Sequence, residues 1–176
     1  EQSAAMKDLI INKMLGDTEM GLEMMGGDLT PEQREAMVAA AKERIDTLNQ
    51  QMKELLGEEN FSTYEAYEKS VPDRMAVSQL NDQLGANLAL NAEQENLLIQ
   101  AMSEERLGFK FTTDFNNQND FSTDFASRFT EENLNVFLQE QQRLNQNYLN
   151  RAQTILSADQ LAAYQKALTA QQELTK

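Results

Sequence analysis

The chain has 176 residues, contains neither cysteine nor histidine, and carries a formal net charge of −14. The two missing residue types exclude thiolate and imidazole metal sites, cysteine nucleophiles and Ser-His-Asp catalysis. The acidic charge argues against binding of nucleic acid, whose phosphates require clustered lysine and arginine. We therefore expect a non-enzymatic protein without metal or cofactor.

The first predicted element is a methionine-rich helix over residues 4–25. Methionine side chains are flexible and polarizable, so a surface rich in them adapts to varied apolar partners. An ordinary helix whose methionines face the core or a dimer partner explains the same pattern. Binding of Cu(I) by thioethers is a third alternative, but no histidine or cysteine supports it. The candidate partner-binding residues of this helix are Met14, Met20, Met24 and Met25.

A pattern of leucine, capping residue, any residue, acidic residue and glutamine then occurs three times, at 29–33, 90–94 and 156–160. The capping side chain can accept a hydrogen bond from the backbone N–H three residues later. The glutamine can reach back to the cap, which makes a capping box. We expect three helix starts at this pattern, and we expect its leucines to pack into the core. The structural caps are Thr30 with Gln33, Asn91 with Gln94, and Ser157 with Gln160.

Two long amphipathic helices are predicted, the first behind the motif at 29–33 and the second behind a separate capping signal at Thr130. Over 31–56 the apolar residues recur at steps of three and four, as on a helix packed along its whole length. A similar apolar seam begins behind Thr130 and reaches Ile155, with one polar member, Gln141. The remaining helices are predicted from Asn91 to about Gly108 and from Ala158 to about Leu174.

The helical pattern that follows the first long helix is predicted to be interrupted between Gly57 and Gly85. Gly57 ends the helix before it, and a shorter helix follows to about Ser70. Pro72 lacks the N–H that a helix interior needs, so it is expected to break this helix. A further helix then runs from Asp73 and closes at Gly85.

Residues 108–129 depart from the helical pattern and hold six of the eight phenylalanines, interleaved with Asn and Asp. Asn- and Asp-rich stretches favour turns. One interpretation is a long connection fixed to the helices by its aromatic rings; the other is a mobile apolar flap that binds a partner. A calcium loop is excluded because the glycine and the final glutamate of such a loop are both missing. The candidate partner-binding residues here are Phe115, Phe121 and Phe125.

The predicted fold is all-α: long antiparallel amphipathic helices in an elongated or cradle-like bundle, with a Phe/Asn/Asp-rich insertion. The whole chain, 1–176, is expected to form one helical domain. Similar residues align between two stretches, which suggests repeat units at 29–84 and 90–174, the second carrying the insertion 108–129. No apolar run approaches the ~20 residues that a membrane span requires, so we expect no membrane insertion.

The three motifs resemble those of the LTXXQ-motif family of Spy/CpxP-like periplasmic helical proteins, most closely over 90–171. The stretch 55–84, which includes Pro72-Asp73-Arg74-Met75, looks like a recurring segment of related bacterial proteins. The resemblance implies an all-helical, exported periplasmic protein, commonly a cradle-shaped homodimer. It further implies an ATP-independent chaperone or an envelope-stress role.

Two classes of function are therefore expected. The first is a protein that binds unfolded or apolar protein clients through methionine and phenylalanine surfaces. The second is a regulatory or structural module with one dedicated protein partner, such as a membrane sensor domain. On the first interpretation the chain would bind unrelated clients, and on the second it would not.

Overall fold

The computed structural model describes residues 2–26, 29–113, 115 and 129–174, with the backbone alone described at 2, 17, 19–21, 23–26, 31 and 171–174. Within these residues the chain forms six α-helices and no strand, which confirms the all-α prediction. The helices are α1 (Gln2–Gly26), α2 (Pro31–Leu56), α3 (Glu58–Leu84), α4 (Ala92–Gly108), α5 (Glu131–Ala152) and α6 (Ala158–Leu174).

Most helix ends lie where the local sequence signals predict them. α2 begins at Pro31, directly after its cap, and stops at Gly57, whose φ of +78° suits a residue without a Cβ. Gly85, with a φ of +68°, likewise follows the last residue of α3. α6 has the predicted limits.

The prediction that Pro72 breaks a helix is wrong. α3 begins directly at Glu58 and runs through Pro72 without stopping near Ser70. A proline inside a helix costs about 3 kcal/mol because one backbone hydrogen bond is lost. Tertiary contacts on either side offset this cost, since Ser70 and Asp73 are both buried and Arg106 donates hydrogen bonds to the Lys69 carbonyl and to Asp73. These long-range contacts outweigh the local signal.

The chain separates into two compact units. The first comprises Glu1–Glu65 and Phe115–Thr130, and the second comprises Ala66–Asp114 and Glu131–Lys176. The boundary near Ala66 falls inside α3. The predicted single domain and the predicted repeat units stay predictions, and so does the cradle-like arrangement.

In the first unit α1 and α2 pack against each other. The Arg44 guanidinium of α2 donates to the Asn12 carbonyl of α1 at 2.8 Å. This approach is possible because Gly16 has no side chain; a Cβ there would collide with the guanidinium. Leu48 and Met52, on the predicted seam of α2, are buried.

The core of the second unit is formed by α4, α5 and α6 with the C-terminal half of α3. Asn81 of α3 fixes the turn before α4, since its Oδ1 accepts from the Leu90 N–H at 2.8 Å and its Nδ2 donates to Glu95 at 2.8 Å. The seam predicted for α5 is largely correct, because Leu144, Tyr148 and Ala152 are all buried. The buried core comprises Val77, Leu80, Leu84, Leu90, Leu98, Met102, Leu144, Tyr148, Ala152, Leu156 and Tyr164.

Candidate functional site

All three predicted capping boxes are present. The N–H of Thr30 donates to Gln33 Oε1 at 2.9 Å, and the return bond from the Gln33 N–H to Thr30 Oγ1 is 3.3 Å. The corresponding pair of bonds joins Asn91 to Gln94 and Ser157 to Gln160. The glutamine of each motif therefore satisfies a helix N-terminal N–H that would otherwise lack a partner.

The second and third motifs also bind each other, an arrangement we call the glutamine clasp. Gln94 Nε2 donates to Gln160 Oε1 at 2.8 Å, and Gln160 Nε2 donates to Gln94 Oε1 at 3.3 Å. Each Oε1 thus accepts twice: once from its own cap and once from the opposite glutamine. The two motifs are far apart in the sequence but lie side by side in the second unit.

The clasp has an internal two-fold pattern. Gln94 Nε2 also donates to the carbonyl of Ile155, the residue before the leucine of the opposite motif, at 3.1 Å. Gln160 Nε2 donates to the carbonyl of Ala89, the equivalent residue of the other motif, at 3.3 Å, and to Leu88 at 3.2 Å. Each glutamine thereby connects its own helix start to the loop that precedes the other helix. The clasp is a structural crosslink with no free reactive group.

A buried ion pair lies beside Pro72. Asp73 is 2% exposed and accepts from Arg106 Nε at 3.1 Å and from its terminal nitrogen at 2.8 Å. The hydrogen bonds that Arg106 donates to this carboxylate raise the pKa of its guanidinium. Arg106 therefore joins α4 to α3, and the pair is structural.

A second buried carboxylate, Glu140 of α5, holds the segment that follows α4. Its two oxygens accept from the Thr112 N–H at 2.9 Å and from Thr112 Oγ1 at 2.6 Å, and Arg143 lies 3.3 Å away. The Thr112 bonds and the Arg143 charge lower the pKa of Glu140. Both buried carboxylates are thus engaged by donors, which leaves neither available as a general base.

The core tyrosines do not supply a base either. Burial raises the pKa of Tyr148 and raises that of Tyr164 to about 12, so both phenols stay protonated at neutral pH. No group of three carboxylates in the described residues could hold a metal ion. None of the described helices has the length and apolar character of a membrane span.

The predicted methionine surface is described in part. Met14 is 64% exposed on α1. The side chains of Met20, Met24 and Met25 lie outside the described residues. Three further apolar side chains, which the methionine pattern does not identify, share the exposed face of α1 with Met14 at helical spacing: Ile11, Leu15 and Leu22.

The predicted phenylalanine surface is only partly described as well. Phe115 is half-buried, and its ring lies 5.1 Å from the ring of Phe129, which is 48% exposed. Phe121 and Phe125 lie outside the described residues. At the start of the insertion, Phe109 and Phe111 pack on the core of the second unit, as expected for a connection fixed by its rings.

Comparison of the chain with known protein families, characterised proteins and solved structures finds no match. The resemblance of the three motifs to the LTXXQ-motif family therefore stays a prediction. The exposed apolar face of α1 is the strongest candidate for function, because every buried polar side chain of the described residues already has a hydrogen-bond partner.

Proposed function

We propose that this protein is a non-enzymatic binding protein for unfolded or apolar protein clients and acts without ATP. The exposed apolar face of α1 carries the proposal. Four large side chains, Ile11, Met14, Leu15 and Leu22, are between 52% and 66% exposed along this one helix. Contiguous apolar side chains on a surface are typical of sites that bind other proteins.

α1 also packs on α2 through another part of its surface. Leu9, Ile10 and Gly16 are half-buried, and Gly16 lies against Arg44 of α2. α1 therefore has apolar side chains on two sides, and only one of these sides packs against α2. A single core-facing stripe is the normal pattern of a helix in a two-helix contact, so the second stripe needs another explanation.

Flexible and branched side chains on this face suit clients of varied shape. Met14 has three rotatable side-chain bonds and a polarizable sulfur, and it can adapt to different apolar groups. The net charge of −14 keeps the protein itself soluble while the stripe is exposed. The motifs' resemblance to exported helical proteins supports a periplasmic location and an envelope-stress role.

Light scattering of an aggregating model protein tests the proposal. The wild-type chain at stoichiometric amounts is expected to suppress aggregation of several unrelated clients. The triple variant Ile11→Ser, Met14→Ser, Leu15→Ser should lose most of this suppression. A matched control is the double variant Leu97→Ser, Leu107→Ser, which removes exposed leucines from α4 instead. If the triple variant suppressed aggregation as well as the wild type and the control, α1 would be excluded as the binding surface.

The second candidate is a regulatory or structural module with one dedicated partner. The presence of four exposed apolar side chains on one helix favours this alternative, because a single amphipathic groove or helix could cover them. Under this alternative the wild-type chain would not suppress aggregation of unrelated clients. The same scattering experiment therefore separates the two functions.

A further inference from the structure

Methionine is the residue type of this chain that oxidants change most readily. The sequence has nine methionines and neither cysteine nor tryptophan. A peroxide therefore has thioethers as its main targets, and the rate at which each one reacts follows its exposure to solvent. Among the described side chains Met14 and Met75 are exposed, at 64% and 68%, whereas Met52 and Met102 are buried. Oxidation of the folded chain is thus expected at Met14 and Met75 first.

Met14 lies in the middle of the exposed apolar face of α1. Ile11 precedes it by one turn, Leu15 is its neighbour, and all three side chains are more than half exposed. Thr18, the residue one turn later, donates its hydroxyl to the Met14 carbonyl at 2.9 Å. This hydroxyl is therefore engaged within the helix, and the face stays apolar as far as Leu22. A polar group at Met14 would interrupt the face at its centre.

Met75 of α3 is equally exposed but has different neighbours. Ser78 and Gln79 lie one turn after it, and both are exposed and polar. Oxidation of Met75 adds a polar group to a surface that already carries polar side chains. Met75 therefore provides the internal comparison for Met14.

We propose that Met14 is a site of reversible oxidation by hydrogen peroxide and that its sulfoxide weakens client binding by α1. The sulfur lone pair attacks one peroxide oxygen, so that an S–O bond forms and the O–O bond breaks. Sulfur is oxidised by two electrons, and the hydroxide that leaves takes up the proton of the transferred oxygen and becomes water. This inference rests on the proposed function, because it assigns a regulation to the same face of α1.

The sulfoxide acts by changing the polarity of the contact. Its oxygen accepts hydrogen bonds from water, which are lost when an apolar client covers it. Burial of a methionine thioether favours binding by a factor of about ten or more, so about tenfold more protein should be needed for half-suppression of aggregation after oxidation. α1 should stay helical, since the Met14 side chain is exposed rather than part of the core.

Peptide mass spectrometry tests the chemical part of the proposal. The folded chain is treated with hydrogen peroxide, at a dose that leaves the helical circular dichroism unchanged, and the reaction is stopped with catalase. Met14 and Met75 should become sulfoxides well before Met52 and Met102. The assignment is overturned if Met14 reacts no faster than the buried methionines.

Light scattering of an aggregating model protein tests the functional part. Peroxide should weaken suppression by the wild type and by Met75→Leu about equally. Met14→Leu, which has no sulfur at this position, should suppress aggregation to the same extent before and after peroxide. The other methionines of α1 are present in both variants, so the comparison isolates Met14. Methionine sulfoxide reductases that act on both sulfoxide epimers should restore the oxidised wild type.

Met14→Gln reproduces the polarity change without an oxidant and should weaken suppression to a similar extent. If the untreated wild type suppresses aggregation of no client, the proposed function itself fails. If the untreated wild type suppresses aggregation and the oxidised protein does so equally well, only the regulation by Met14 is overturned. It is also overturned if Met14→Leu loses suppression on oxidation, or if Met14→Gln suppresses as well as the wild type.

Discussion

The side-chain amides of Gln94 and Gln160 form a reciprocal pair in which each Nε2 donates to the other Oε1. Both oxygens are at the same time capping acceptors for the starts of α4 and α6. A motif that begins a helix in the local sense therefore also fixes the position of two helices relative to each other. The capping role requires only an acceptor, whereas the crosslinking role requires the donor of an amide.

This difference gives the first prediction. The variant Gln160→Glu keeps the acceptor for the Ser157 N–H but loses the donor to the Leu88 and Ala89 carbonyls and places a carboxylate in a buried site. We expect a loss of about 2–3 kcal/mol in the free energy of unfolding, because buried partners are left unsatisfied. Urea denaturation followed by circular dichroism measures it.

Gln33→Glu is the matched control for this prediction. The same substitution occurs in the same motif, but Gln33 is exposed, so its effect should stay within about 0.5 kcal/mol. Equal losses at the two positions would show that capping alone explains the motif.

The second prediction concerns the buried ion pair of Asp73 and Arg106. Asp73→Asn removes the charge that the guanidinium binds and should lower the free energy of unfolding by about 2–3 kcal/mol. Arg106 is 29% exposed, so water relieves part of the penalty. Chemical denaturation of the variant measures the loss.

Arg151 supplies the comparison for this ion pair. It bridges Glu104 at 2.6 Å and Glu105 at 3.2 Å on the surface between α4 and α5. Exposed ion pairs of this kind contribute little, so Arg151→Ala should cost much less than Asp73→Asn. A larger loss for Arg151→Ala would mean that burial does not set the strength of these pairs.

The third prediction is a pH dependence due to Glu140. The pKa of this group is lower in the folded chain than its usual 4.5, so its contribution to stability is present above about pH 4.5. The contribution is lost as the pH falls through the lower folded pKa. Stability of wild type should therefore exceed that of Glu140→Gln at neutral pH, and the difference should shrink in acid.

Difference curves are needed because Glu32 and Glu104 also have lowered pKa values. Hydrogen bonds from its own backbone and from Thr30 lower the pKa of Glu32. Hydrogen bonds from Gln100 and Arg151 lower the pKa of Glu104. Thr112→Val removes the side-chain donor to Glu140 and should weaken the same acid-sensitive contribution. Denaturation at a series of pH values measures both variants. Parallel curves for wild type and Glu140→Gln would contradict the prediction.

The helix starts could be predicted from the sequence because capping is local. Thr30 and Gln33 are three residues apart, and their bond needs nothing from the rest of the chain. The clasp could not be predicted in this way, since Gln94 and Gln160 are 66 positions apart and their pairing depends on how α4 and α6 pack. Local spacing therefore predicts the capping role of the motif but not its crosslinking role.

The errors have the same origin. Pro72 was expected to end a helix on local grounds, but Asp73 and Arg106 hold the chain helical from outside the segment. Glu140 was missed because an apolar seam does not identify a buried carboxylate whose donor, Thr112, lies 28 positions away. On α1 the sequence pattern identifies the methionines, whereas the exposure of Leu22 beside them is visible only in the structure.

The last prediction concerns Gly16, where two effects oppose each other. Alanine favours a helix interior over glycine by about 1 kcal/mol. A Cβ at this position would collide with the Arg44 guanidinium, however, and should displace it from the Asn12 carbonyl, at a cost of about 0.5–1.5 kcal/mol. Gly16→Ala should therefore change the free energy of unfolding little in the wild-type background.

The same substitution in an Arg44→Ala background isolates the helix preference. Without the guanidinium the atoms closest to the new methyl group are gone, so Gly16→Ala should stabilise the chain by about 1 kcal/mol there. A double-mutant cycle from urea denaturation gives the coupling between the two positions directly. Equal effects of Gly16→Ala in both backgrounds would show that the close approach of Arg44 to α1 contributes nothing to the packing of the first two helices.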